Sequence, residues 1–247
     1  MTSAPTTGLD QIAARCHHLL LNFDGPVCAV FATTPGRTVA DELRAALRAA
    51  EVAIPGPVTA VEDPLELFQV VARWHPDAAP IAQQELTRLE LLAIAGARPT
   101  EGAGDLIATA RNTGRTVTIV TNNSGIAVRA YLDAHGLSGY LTGVIGRDDA
   151  DPERMKPSPY RVREAVGVLG AEGEQCSFVG DTPTDVLAGL LAGVPVIGFA
   201  NKPGKAQPLA QAGARAVTSQ LSEISTALRA APQPCDPTTD PRHMSAS

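Results

Sequence analysis

Residues 19–21 are three consecutive leucines, and the apolar run breaks at Asn22 and Asp24, which flank Phe23 and precede Gly25. So short a run ending in polar side chains predicts a buried strand that delivers Asn22 and Asp24 to a cleft at its C-terminal end. Residues 26–31 are expected to form a short hairpin or flap beside it. The texture then changes. Val39, Leu43, Ala46, Leu47 and Ala50 recur at helical spacing, with Thr38 and Asp41 placed as a capping box. Asp63, Pro64 and Glu66 mark a second helix start, from which Leu67, Phe68, Val71 and Trp74 form one face that ends at Pro76. A third helix over residues 80–95 is expected to turn Leu86, Leu89, Leu92 and Ala93 inward. Residues 33–97 therefore read as an all-helical block.

From residue 100 the pattern alternates between strand and helix. Strands are expected at residues 116–121, 140–145, 176–179, 196–200 and 214–217, with helices at 103–111 and 126–135, after Ser158-Pro159, from Pro183 to Gly193, and around Leu221, Ile224 and Leu228. Such alternation predicts an α/β fold, a doubly wound Rossmann-like parallel sheet. Residues 1–32 and 98–232 form this core, 33–97 a small inserted helical domain, and the proline-rich residues 233–247 a disordered tail.

Composition narrows the function. With 247 residues, 44% of them apolar, the chain can bury a substantial core, and its net charge of −6 argues against a nucleic-acid or membrane-surface partner. The first 18 residues lack the apolar segment of a signal peptide, and the longest apolar region, residues 186–200, is shorter than a membrane span and interrupted by Gly189, Gly193 and Pro195. A cytoplasmic protein, monomeric or homodimeric, is expected. Cys16, Cys28, Cys176 and Cys235 show no metal-ligand spacing and read as scattered reduced thiols.

Four polar clusters fall where parallel strands would end: Asn22 with Asp24, Thr121 with Asn122, the loop bearing Lys156, and Asp181 with Asp185. Ligands of open α/β sheets bind there. Asp181 and Asp185 either cap a helix or offer hard oxygen ligands to Mg²⁺, and their position after an apolar strand favours the second. Thr121 and Asn122 precede a helix N-terminus that can bind an anion, or else form an ordinary turn. Lys156 is the only lysine before Lys202 and Lys205, which favours a dedicated role opposite carboxylates and phosphate.

In order and spacing these clusters resemble the four motifs of the haloacid dehalogenase superfamily, phosphoglycolate-phosphatase-like branch: Asn22-Phe23-Asp24-Gly25, Thr121-Asn122-Asn123, Lys156-Pro157, and Gly180-Asp181 through Asp185. The resemblance implies a Mg²⁺-dependent phosphatase acting on a small phosphorylated metabolite through an aspartyl-phosphate, with residues 33–97 as the cap. It implies that position 22 is the nucleophile and a metal ligand. Asp24 would be the general acid and base and give its carbonyl to the metal. Gly25, Thr121, Asn122 and Lys156 would hold the substrate, Lys156 also stabilising charge, and Asp181 and Asp185 would bind Mg²⁺.

Asn22 departs from the pattern, because an amide oxygen is a poor nucleophile and brings no charge to the metal. A chain with Asn22 is expected to bind phosphorylated ligands with little turnover. It is either a phosphatase with its nucleophile disabled or a natural pseudophosphatase; a phosphosugar mutase shares the motifs. A dehalogenase would not be expected to keep Asp24, Lys156 and the acidic pair together. A phosphonate-cleaving enzyme needs a lysine within residues 33–97, which contain none. Arg37, Arg44, Arg48, Arg73, Trp74, His75 and Arg88 are the candidates to reach the far end of a substrate.

Overall fold

The computed structural model describes residues 8–52 and 60–234. The chain opens with helix α1 (Gly8–Ala13) and strand β1 (His18–Leu21), followed by the two-residue strand β2 (Cys28–Ala29). Three helices follow, α2 (Gly36–Ala49), α3 (Pro64–Trp74) and α4 (Ala79–Ile94), before β3 (Arg98–Pro99) returns the chain. Alternation then begins with α5 (Ala103–Asn112), β4 (Thr116–Val120), α6 (Gly125–Ala134), β5 (Gly143–Ile145) and α7 (Tyr160–Val168). It continues with β6 (Cys176–Gly180), α8 (Pro183–Leu191), β7 (Val196–Phe199), α9 (Ala206–Gln211), β8 (Ala216–Thr218) and α10 (Leu221–Ala230).

Six strands form one parallel sheet in the order β5-β4-β1-β6-β7-β8, as the α/β pattern predicts. Strand β1 lies between β4 and β6, with Leu20 opposite both Thr118 and Phe178. Its three leucines are needed because helices cover both faces of the sheet. Leu19 and Leu21 join Ile12, Ile107, Val128 and Ile224 on one side, while Leu20 joins Val162, Val186 and Leu209 on the other. The chain leaves the sheet to opposite sides of β1, so the switch point and its cleft lie where Asn22 begins.

Helices α2, α3 and α4 enclose a separate apolar cluster of Leu43, Leu47, Leu67, Phe68 and Leu86, which Met155 from the loop before α7 also enters. The stretch expected as a hairpin or flap, residues 26–31, does not pair as a hairpin of its own: its strand β2 pairs antiparallel with β3, and the two bracket these helices along the chain. At α3 the expected start is present: the Asp63 side chain accepts from the Leu65 and Glu66 amides, with Pro64 following.

Several local expectations need correction. The capping box at Thr38 does not form, since α2 starts at Gly36 without a side-chain cap and Asp41 pairs with Arg44 instead. Trp74 lies in the last turn of α3 and is 66% exposed. Leu92 is 61% exposed because the stripe of α4, at 3.6 residues per turn, runs through Ala82, Leu86, Leu89, Glu90 and Ala93. Residues 138–140 form a single 3₁₀ turn rather than the start of β5, and α1 and α9 were not anticipated.

Cys16, Cys28 and Cys176 are buried free thiols. Cys235 and residues 235–247 of the expected tail lie outside the described residues. Among the described residues no helix is long and apolar enough to cross a membrane.

Candidate active site

A cavity of about 1330 Å³ opens at the C-terminal ends of β1, β4 and β6, and Asn22, Asp24, Gly25, Thr121, Asn122, Lys156, Asp181 and Asp185 all line it. The structure thus brings together every candidate residue of the four motifs. Asn22 follows β1 directly, its amide N–H donating to Val179 O at 2.9 Å, which fixes the chain where the side chain turns into the cleft.

The Asn22 side chain is fully engaged. Lys156 Nζ donates to Asn22 Oδ1 at 2.8 Å, while Asn22 Nδ2 donates to Asp24 O at 2.9 Å and approaches Asp185 Oδ2 at 3.4 Å and Asp181 Oδ1 at 3.5 Å. Lys156 and Asp185 also form an ion pair with both side chains buried.

Asp185 takes the capping role that its spacing allowed and also faces the cleft. Its Oδ2 accepts from the Asp181 and Thr182 amides, both at 3.1 Å, as part of a capping box on α8, while Oδ1 faces Lys156 in the cleft. Asp181 is held by Lys205 Nζ and by Asn201 Nδ2 at 3.3 Å. Burial pushes the Asp181 carboxyl above its ordinary range and the neighbouring Asp185 adds to this, with Lys205 opposing.

The Asp24 side chain, which also lines the cavity, is held at Val30. Its Oδ1 accepts from the Val30 amide at 3.0 Å, and burial pushes its carboxyl up to about 6, against the Val30 hydrogen bond. Gly25 makes the turn possible: its φ is +107°, and a Cβ there would lie 2.3 Å from the Asp181 carboxyl carbon.

Asn122 spends its side chain on Lys156. Its Oδ1 accepts from the Lys156 amide at 2.8 Å and its Nδ2 donates to Lys156 O at 3.2 Å, so the second motif positions the third. Thr121 Oγ1 donates to Asn123 Oδ1 at 3.0 Å. The N-terminus of α6 already holds an anion from this chain, the carboxylate of Glu90, which accepts from Ser124 N at 3.1 Å.

Among the described residues no group of three or more His, Cys, Asp or Glu side chains is arranged to hold a metal. The available donors differ in kind: Asp24 O, Asp181 Oδ1 and Asp185 Oδ2, from two separate strand ends, surround the single point where Asn22 Nδ2 lies. Hard oxygens converging on one small donor fit Mg²⁺ in chemistry, with water and phosphate completing its shell.

None of the arginines proposed for the far end of a substrate lines the cavity, nor do Trp74 and His75. Arg37 pairs with Glu62, Arg73 with Glu153 and Arg88 with Glu85, while Arg44 is turned inward to Asp41 and Val61 O. The inserted helices contribute Asp63, Leu65, Glu66 and Gln69 instead. Lys202, Lys205 and Asn201 also line the cavity and were missed as site residues. The scarcity of lysine was the signal that could have found the first two. Glu90 was missed as well, although a charge inside the apolar stripe of α4 is the trace it leaves.

A family model described as haloacid dehalogenase-like hydrolase matches residues 34–193. The phosphoglycolate phosphatase of Rhodospirillum rubrum is 33% identical over 131 residues, 53% of this chain and 53% of the relative. Pyrophosphatase PpaX of Halalkalibacterium halodurans is 33% identical over 104 residues, 41% of this chain and 47% of that one. The chain thus spans about half the length of these curated relatives. Among solved structures, a hydrolase of this family from Deinococcus radiodurans with bound phosphate and sodium has a TM-score of 0.59 at 22% identity, covering 88% of this chain and 96% of that one. A Streptococcus pneumoniae family member has a TM-score of 0.62 at 14% identity, covering 86% and 98%. At these identities the two structures share the fold.

Proposed function

Because the chain belongs to the haloacid dehalogenase-like hydrolase family, we infer that its cleft is the site of a Mg²⁺-assisted phosphate-monoester hydrolase in which Asn22 stands where the nucleophile is needed. The ligand is a small phosphorylated metabolite, and the chain with Asn22 binds it with little turnover. The observation that carries this is the contact of Asn22 Oδ1 with Lys156 Nζ at 2.8 Å, beside Asp24 O and the two carboxylates. On this reading Lys156 supplies the counter-charge beside position 22, and an amide stands where the nucleophilic carboxylate is required. The relatives named phosphoglycolate phosphatase and pyrophosphatase, and the neighbour with bound phosphate, support the same ligand class.

Asp24 O, Asp181 and Asp185 would hold Mg²⁺, which supplies neutralising charge to phosphoryl oxygens, whereas Asn22, expected as a ligand, turns its oxygen to Lys156 and presents its Nδ2 donor to that point. Lys156 places its ammonium beside position 22, where charge accumulates during attack on phosphorus. Asp24, protonated up to about pH 6, is suited to give a proton to a leaving alcohol and later to take one from water. The inserted helices α2–α4 act as the cap, closing the side of the cavity formed by Glu66 and Gln69.

The test compares the chain with its Asn22→Asp variant on a panel of phosphate monoesters with Mg²⁺. Phosphate release by the variant supports the hydrolase. Ligand binding by both with hydrolysis by neither would make the chain a phosphate-binding module. Conversion of one phosphosugar into an isomer without phosphate release would make it a mutase.

A further inference from the structure

Glu90, in α4, and Arg147, in the loop after β5, form an ion pair with both side chains fully excluded from solvent. Burying two charges is costly unless their remaining hydrogen-bonding capacity is used. Here it is used across the boundary between the inserted helices and the sheet. Glu90 Oε1 accepts from Asn123 Nδ2 at 2.9 Å, and Oε2 accepts from Ser124 N and Arg147 Nη2. Arg147 Nε donates to Asn122 O at 3.0 Å, its Nη1 reaches Gln83 of α4, and its guanidinium lies 4.8 Å over the Phe68 ring of α3.

Helix α6 depends on this arrangement. Ser124 occupies its N-cap position but makes no capping bond, and its buried hydroxyl has no partner. The negative group that a helix N-terminus favours is therefore Glu90, 34 residues earlier in the chain. Two connections lead from it into the cleft. Glu90 holds Asn123, which accepts from the Thr121 hydroxyl. Arg147 holds the carbonyl of Asn122, whose side chain holds the backbone of Lys156.

We propose that Glu90 is a positioning residue: a carboxylate carried by the inserted helices that sets the loop of residues 121–124 and, through it, Lys156, so that the anion-holding groups take their working geometry only while the insert is docked. The proposal rests on the phosphatase reading of the cleft.

The experiment measures inorganic phosphate binding by calorimetry and amide exchange by mass spectrometry on the full chain, on Glu90→Gln, and on Glu90→Gln combined with Arg147→Met. Glu90→Gln is expected to weaken phosphate binding about tenfold or more and to speed exchange at residues 123–127. The double variant leaves no lone buried charge, so it should regain thermal stability without regaining phosphate affinity. Phosphate affinity that survives Glu90→Gln, or that returns together with stability in the double variant, overturns the positioning role. Failure of the parent chain to bind phosphate, together with an inactive Asn22→Asp variant, overturns the phosphatase reading and this proposal with it.

Discussion

Lys156 Nζ meets Asn22 at its amide oxygen, 2.8 Å away, and this contact decides which end of the amide faces the carboxylates. An ammonium can only donate, so the oxygen must turn to it and Nδ2 must turn toward Asp24 O, Asp181 and Asp185. A carboxylate at the same position would give one oxygen to Lys156 and the other to the point where those three oxygens converge.

Asn22→Asp is accordingly expected to raise phosphate-ester hydrolysis by about a thousandfold or more, the scale on which a nucleophile is felt. It should also tighten Mg²⁺ binding, since a second oxygen and a negative charge replace an N–H donor. Steady-state kinetics and calorimetric Mg²⁺ titration check the two effects separately. Tighter metal binding without activity would leave the donor set intact and remove position 22 from the chemistry.

Lys205 is a tethered cation on Asp181 Oδ2. A divalent ion held by Asp181 meets this ammonium as a like charge. Lys205→Met should therefore strengthen Mn²⁺ binding several-fold, to about tenfold, by removing one nearby positive charge. Electron paramagnetic resonance of free Mn²⁺ reads this in the absence of any substrate. Unchanged or weaker binding would show that Lys205 and the metal do not share Asp181.

Asp24 gives a pH signature in stability. Its carboxyl stands at about 6 in the folded chain against an ordinary 3.8, chiefly because of burial. Below about pH 3 it is protonated in both states and contributes nothing; from about 3 to 6 the unfolded chain ionises first, so stability falls as pH rises; well above about 6 the full cost applies. Asn at this position cannot ionise and can still accept from the Val30 amide. Asp24→Asn should thus match the parent at pH 3 and exceed it by roughly 1–2 kcal/mol at pH 8, partial exposure screening part of the effect. Urea unfolding at the two pH values measures the difference.

The features that positioned the cleft were legible because they are local. Leu19, Leu20 and Leu21 needed two covered faces, and Asn22 and Asp24 marked where cover ends. Asp63 and Pro64 announced α3 within two residues. Relationships between distant segments left weaker traces. Glu90 sits among apolar neighbours on α4, where a single charge reads as solvent-facing, and its partners lie 33 to 57 residues away. Lys205 reaches Asp181 only because the loop after β7 folds back over the strand ends, which no periodicity encodes. Leu92 and Trp74 were assigned inward by hydrophobicity, while the stripe of α4 and the end of α3 decided otherwise.

Gly25 couples the turn after β1 to the fourth motif, and its replacement tests whether that packing is as tight as the geometry implies. The turn is fixed from both sides, Gly25 N donating to Cys28 O at 2.7 Å and Thr100 Oγ1 donating to Gly25 O at 2.6 Å, so the backbone has little freedom to relax. With φ at +107°, an added Cβ meets Asp181 Cγ and Oδ1 at 2.3 Å. Gly25→Ala must therefore strain the turn and displace the carboxylate, at a cost of about 2–4 kcal/mol. Gly136→Ala supplies the control, because its φ of +65° carries the left-handed penalty with nothing within 4 Å of the new methyl. That penalty alone is about 1 kcal/mol. Urea unfolding of both variants should show Gly25→Ala to be the more damaging, and Mn²⁺ titration should show weakened binding in Gly25→Ala only. Equal stability losses with unchanged metal binding would mean that Asp181 is not held against the turn, and the link between the first and fourth motifs would have to be sought elsewhere.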